Sequence, residues 1–194
     1  GIPFDGSSVP GMQSVEAGDM ILLPDPETAI IDPFADQPTV RMMCYICSAD
    51  TRQGVKKDPR SVAKRAAEYL RGTGVGDESY WIPEFEFYLF DEAEVWNGKY
   101  RAGYNFTSVE NKEDLPSSYI DKDGTAVAYR KGYHIDTPFD KYAAVRQEMV
   151  ELIEAIGCPV RYHHHEVGLS GQNEIETEPS EFGTITDQMM YIKD

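Results

Sequence analysis

The segment Pro83-Glu84-Phe85-Glu86-Phe87-Tyr88-Leu89-Phe90-Asp91 constrains the fold more than any other stretch of this 194-residue chain. Acids alternate with aromatic residues, and a period of two is that of a β-strand, whose successive side chains point to opposite faces. Glu84 and Glu86 therefore share a face, with β-carbons about 7 Å apart, while Phe85, Phe87 and Leu89 share the other. Burying an ionised carboxylate without a compensating cation or donor costs several kcal/mol. The acidic side of this strand is thus either open to solvent or turned toward a cleft that holds a divalent cation.

A second region carries the same pattern. His163-His164-His165-Glu166-Val167 and Gln172-Asn173-Glu174-Ile175-Glu176 read as two short strands across a Gly/Ser turn at Gly168 to Gly171. Alternation puts His164 with Glu166 on one face, and Gln172, Glu174 and Glu176 on one face of the next strand. Magnesium and manganese select carboxylate oxygens and keep water or substrate phosphate in their remaining positions. Four acids from three strands would suit a pair of such ions.

The balance of 34 acids against 18 bases, a formal charge of −16, argues against nucleic acid or an anionic membrane as a partner. No apolar run approaches the roughly 18 residues that span a bilayer. Cys44, Cys47 and Cys158 are an odd number and form no disulfide framework. The Cys44-x-x-Cys47 spacing lies inside a β-like apolar run, Val40 to Cys47, so these thiols read as small hydrophobes rather than as a redox or zinc pair.

Residues 1–50 contain short strands at Met20 to Leu23, Ala29 to Ile31 and Thr39 to Cys47, separated by Pro and Asp turns. Asp58 as N-cap and Pro59 at the first helical position open a helix that ends near Gly72 to Gly74, with Val62, Ala66, Tyr69 and Leu70 as its apolar stripe. Residues 92–135 form a polar excursion with hairpin signals at Asn97-Gly98 and Asp121-Lys122-Asp123-Gly124. A second helix runs from about Asp140 to Ile156, apolar at Tyr142, Val145, Met149, Leu152, Ile153 and Ile156 and stopped by Gly157. Strands at 160–167 and 172–177 and a helix from about Thr184 to Ile192 complete an α+β chain, antiparallel strands with helices on one side.

Several short motifs then fall into one order. Phe4-Asp5-Gly6-Ser7-Ser8, Gly18-Asp19-Met20, Asp32-Pro33-Phe34, Asp58-Pro59-Arg60, Pro83-Glu84-Phe85-Glu86-Phe87 and His164-His165-Glu166-Val167 through Gly171-Gln172-Asn173-Glu174 resemble type I glutamine synthetase. The Glu166-to-Glu174 spacing is the most specific of them. The resemblance implies that residues 1–50 are the C-terminal part of a small β-grasp-like N-terminal domain and residues 51–194 the first part of a catalytic domain. Members of that family run to well over twice this length, so the sequence reads as a fragment.

The resemblance also implies a chemistry: ATP phosphorylates the γ-carboxylate of glutamate, and ammonia displaces phosphate to give glutamine. By it, Glu86, Glu166 and Glu174 match the ligands of one Mg2+ or Mn2+ and Glu84 a ligand of a second, with His164 on the nucleotide side. Asp5, and Asp19 in the same role class, match the acids that bind and deprotonate ammonium, with Ser7 and Ser8 as substrate contacts of that loop. Two stacked six-membered rings in the cytoplasm are the implied assembly and location. The chain departs from the pattern at Ile82, where a Gly is usual, and at His134, where Gly132-Tyr133 is usually followed by Phe. Three other readings stand beside this one: a ligase joining glutamate to a larger amine, a non-catalytic relative, and an acidic metal-binding module.

Overall fold

The computed structural model describes residues 1–12, 19–111, 126–127 and 130–194. In chain order the elements are β1 (Ile2–Asp5), β2 (Asp19–Pro24), β3 (Ile30–Ile31), β4 (Val40–Arg41), β5 (Cys44–Ser48), α1 (Pro59–Thr73), β6 (Tyr80–Trp81), β7 (Glu84–Tyr88), β8 (Glu92–Asn97), β9 (Ala102–Thr107), α2 (Ala143–Ala155), β10 (Val160–His165), β11 (Gln172–Thr177), β12 (Ser180–Glu181) and α3 (Phe182–Lys193). They form two compact units: Gly1–Ile82 with Ala155–Cys158 and Pro179–Asp194, and Pro83–Glu154 with Pro159–Glu178. The architecture is the expected α+β, with antiparallel pairing throughout its sheets.

In the first unit β1, β2 and β5 form an antiparallel sheet in that order, burying Met20 and Cys47. The apolar run Val40 to Cys47 is two strands rather than one, broken at Met42 and Met43. Cys44 and Cys47 lie three residues apart on β5 and so point to opposite faces, which forbids a shared ligand and leaves both thiols free. The α1 start is as read from the sequence: Asp58 Oδ2 accepts from the Ser61 amide at 2.9 Å and the Ser61 hydroxyl at 2.6 Å, and Pro59 follows it. Gly74, with φ 70°, closes the helix in the left-handed conformation that glycine adopts without penalty.

The face of α1 differs from the expected stripe. Val62 is 47% exposed and Tyr69 75% exposed, whereas Arg60, Ala63 and Ala67 line the groove shared with Thr184 and Asp187 of α3. Arg60 explains the reversal. Its Nε and Nη2 donate to both oxygens of Asp187 at 2.7 Å, Nη2 also meets Asp25 at 2.8 Å, and the guanidinium lies 4.1 Å from the Tyr45 ring centre. A neutralised, stacked arginine is compatible with burial, and the small alanines beside it leave room for the neighbouring helix.

In the second unit β10, β11 and β7 form an antiparallel sheet in that order. β8 and β9 make the hairpin signalled by Asn97-Gly98, closed by the Gly98 amide donating to the Arg101 carbonyl at 2.7 Å. The second hairpin signal, Asp121 to Gly124, lies outside the described residues. Rings of Tyr88, Phe90, Phe106 and Tyr104 stack in succession at 5.8, 4.5 and 5.1 Å. α2 begins at Ala143, three residues later than expected, because Asp140 is occupied by the Tyr142 amide and the Arg146 guanidinium. Its buried residues are Arg146, Val150 and Ile153, continuing from Tyr142; Val145, expected in the core, is exposed.

Candidate metal centre

Register turns period-two alternation into a two-dimensional grid. His164 of β10 stands opposite Glu174 of β11, and Glu174 opposite Glu86 of β7. One row along, Tyr162 stands opposite Glu176 and Glu176 opposite Glu84. Directly opposed residues share a face with β-carbons about 5 Å apart, so four carboxylates and an imidazole occupy one side of the sheet. Glu166 joins them from the end of β10, its amide donating to the Gln172 carbonyl at 2.9 Å.

Two sets of three potential ligand atoms lie within 4.8 Å of one another: His164, Glu166 and Glu174, and Glu84, Glu174 and Glu176. Glu174 belongs to both. His164 Nδ1 is 3.0 Å from the His165 carbonyl oxygen, an atom that only accepts, so Nδ1 carries the ring proton. The Nε2 lone pair is thereby presented toward Glu174, whose Oε2 lies 3.5 Å away. Fixing one imidazole nitrogen on a carbonyl to free the other is the usual preparation of a histidine for a metal.

Burial, the hydrogen bond to Glu166 and the charges of Glu166, Glu84 and Glu86 push the Glu174 carboxyl up to about 7. One shared proton is how a crowded set of acids lowers its own repulsion, and a divalent cation would replace that proton. A carboxylate-rich set with one imidazole fits magnesium or manganese, and its residues could hold such an ion.

Of the residues expected from the sequence, Glu84, Glu86, Glu166, Glu174 and His164 are brought to one face, with a difference in grouping. Glu86 Oε2 accepts from Gln172 Nε2 at 2.9 Å and is outside both tight sets. His164, expected on the nucleotide side, lies in the tight set with Glu166 and Glu174. Glu176, which alternation had put on this face without a role, completes the set with Glu84; Arg161 holds its Oε1 at 2.8 Å. His134, the departure from the family pattern, stacks on His164 at 3.9 Å, with Tyr133 edge-on to both rings.

The other side of the sheet carries a buried ionic layer that has no signature in the sequence. Glu110 and His165 are each 0% exposed. Glu110 Oε2 lies 2.9 Å from His165 Nε2, and His165 Nδ1 lies 2.8 Å from the Glu166 carbonyl. Both ring nitrogens thus face acceptors. Burial disfavours the charged ring, but Glu110 outweighs it and the His165 pKa is raised above its ordinary value. Beside this pair Arg146 donates to Asp140, Asn173 and His163. Glycine is required where the layer is tightest, since a β-carbon on Gly132 would run into the His165 ring.

In the first unit Asp5 and Asp19 are directly opposed across β1 and β2. Asp5 accepts from the Ser7 amide at 2.9 Å, the Ser7 hydroxyl at 2.7 Å and the Ser8 hydroxyl at 3.2 Å. The Ser7 hydroxyl, then its amide and the Ser8 hydroxyl, hold the Asp5 carboxyl below its ordinary value. Both serines, expected as substrate contacts, spend their hydroxyls on Asp5.

An α+β chain whose β10–β11–β7 sheet carries a face of carboxylates and an imidazole is of the class of proteins able to hold divalent cations. Its residues 1–49 match the family model described as "Glutamine synthetase, beta-Grasp domain", and residues 56–194 that described as "Glutamine synthetase, catalytic domain". The chain belongs to the glutamine synthetase family. It is 39% identical over 191 residues to the glutamine synthetase of Pasteurella multocida, covering 98% of this chain and 40% of that protein. It is also 41% identical over 181 residues to the 3-hydroxylaminophenol mutase of Cupriavidus pinatubonensis, covering 91% of this chain and 38% of that one. The cryo-EM structure of Plasmodium falciparum glutamine synthetase matches the whole chain and 38% of its own, with a TM-score of 0.86 at 25% identity. The chain spans about 40% of the length of the curated relatives it matches.

Proposed function

We propose that this chain carries the metal-binding part of a glutamine synthetase, an ATP-dependent ligase that joins ammonia to the γ-carboxylate of glutamate through γ-glutamyl phosphate. The observation that supports this most is the grid in which His164, Glu166 and Glu174, and Glu84, Glu174 and Glu176, gather around one shared carboxylate. Two magnesium or manganese ions bound there, one near each set and with Glu86, directly opposite Glu174, as a further ligand of the ion held by Glu166 and Glu174, would neutralise phosphate oxygens during phosphoryl transfer.

The chain's own residues supply holding and orientation. His164 offers a lone pair fixed in direction, and Glu166 and Glu174 offer carboxylates already held close together. Asp5, held ionised by Ser7 and Ser8, suits attraction of ammonium by charge more than lasting capture of its proton. In this reading residues 1–50 end a small N-terminal domain and residues 51–194 begin the catalytic one. Assembly into two stacked six-membered rings and a cytoplasmic location belong to the same proposal. Among the described residues no helix is long and apolar enough to cross a membrane.

The test is phosphate release by the full-length protein with ATP, glutamate and manganese, comparing ammonium with methylamine. Turnover with ammonium supports the proposal. Turnover only with methylamine would make the enzyme a ligase for larger amines. Isomerisation of 3-hydroxylaminophenol without ATP would align it with the relative of that name instead.

A further inference from the structure

We propose that Glu110 is the positioning residue of the metal centre, setting from behind the sheet the spacing at which His164, Glu166 and Glu174 meet. The proposal rests on the metal reading of that face and adds a residue that touches none of the ligand carboxylates. Among the described residues the two Glu110 oxygens take three donors from three separate segments: the Lys141 amide at 2.8 Å on Oε1, and His165 Nε2 at 2.9 Å and the Gly171 amide at 2.7 Å on Oε2.

Two of those donors flank the ligands. His165 lies between His164 and Glu166 and passes the constraint on through its Nδ1 to the Glu166 carbonyl. Gly171 opens the strand that carries Glu174, and it adopts φ 79° with Leu89 so close that a β-carbon there would collide with its carbonyl. One carboxylate oxygen therefore ties the end of β10 to the start of β11, across the turn that joins them. Glu110 and His165 are fully buried and the Gly171 bond is buried too, so on the turn side no water can substitute for a lost acceptor, and an unsatisfied buried donor is costly.

Glutamine in place of Glu110 has one acceptor and one donor group for three incoming N–H donors, so at least one is left facing a donor. Either orientation of the amide sets an N–H against an N–H, against Lys141 in one and against Gly171 in the other, so the side chain shifts and with it the turn donors it holds. Outer-shell partners of this kind change metal affinity by about 10- to 100-fold.

The experiment is manganese titration by calorimetry on the full chain, with thermal unfolding measured in parallel. Glu110→Gln and His165→Gln are each compared with Ile153→Ala, a truncation of a buried apolar side chain on α2 of the same unit that removes no hydrogen bond. The expected result is a dissociation constant raised by about tenfold or more in the first two, and within about twofold of the parent in Ile153→Ala. A folded Glu110→Gln variant binding manganese like the parent would overturn the inference, as would an equal loss in Ile153→Ala. Should Glu110→Gln not fold, His165→Gln decides by the same criterion. Absence of manganese binding in the parent would bring down the metal reading itself, a separate outcome visible before any variant is made.

Discussion

Glu174 and Glu86 face each other across neighbouring antiparallel strands, on the same side of the sheet and with His164 opposite Glu174 on its other flank. Like charges opposed in this way destabilise a sheet. Their presence here in a row, with a second acidic pair at Glu176 and Glu84 beside it, is what makes the face a candidate for divalent cations.

Substituting Glu86→Gln tests that repulsion. The amide keeps an acceptor for Gln172 Nε2 while losing the charge, so the metal-free chain should gain up to about 1 kcal/mol in denaturant unfolding. Glutamine formation by the full-length protein should be abolished in the same variant. Loss of folding together with activity would assign Glu86 a structural role.

The Glu174 carboxyl makes metal-free stability depend on pH. Its folded pKa of about 7 exceeds the unfolded value of 4.5, so the folded chain holds a proton that the unfolded chain releases as pH rises between them. The stability this contributes is complete below pH 4.5 and lost as pH passes 7. Thermal unfolding in EDTA should therefore show a lower midpoint at pH 8 than at pH 5.5, and manganese should raise it more at pH 8, where no proton competes. A midpoint independent of both pH and manganese would contradict this.

Arg60→Met should weaken the first unit by up to about 3 kcal/mol, because removing one partner leaves Asp25 and Asp187 half-buried without a cation. Pairing it with Asp187→Asn should recover part of the loss. Urea midpoints of the two single variants and the double variant give the coupling directly.

Gly171→Ala combines a left-handed backbone with a collision against Leu89, and should cost more than about 1 kcal/mol. The same substitution at Gly157, where φ is 87° but nothing lies within 4 Å, should cost less. Equal losses at the two sites would show that strain alone, without the close approach, limits the turn.

Local chemistry decided much of this protein from sequence alone. The alternation of acids and aromatics placed Glu84 and Glu86 on one face, and Asp58-Pro59 and Gly74 bounded α1, because caps and period-two patterns act over two to four residues. Asn97-Gly98 likewise marked its hairpin. Tertiary structure alone decided which acids meet. Glu86 and Glu174 are 88 positions apart, and their opposition depends on strand register, which no local pattern encodes. The same holds for Glu110 and His165, whose burial is tolerable only because each neutralises the other. It holds also for α1, where the charge pairing of Arg60 with Asp25 and Asp187 overrode the apolar stripe of Val62 and Tyr69.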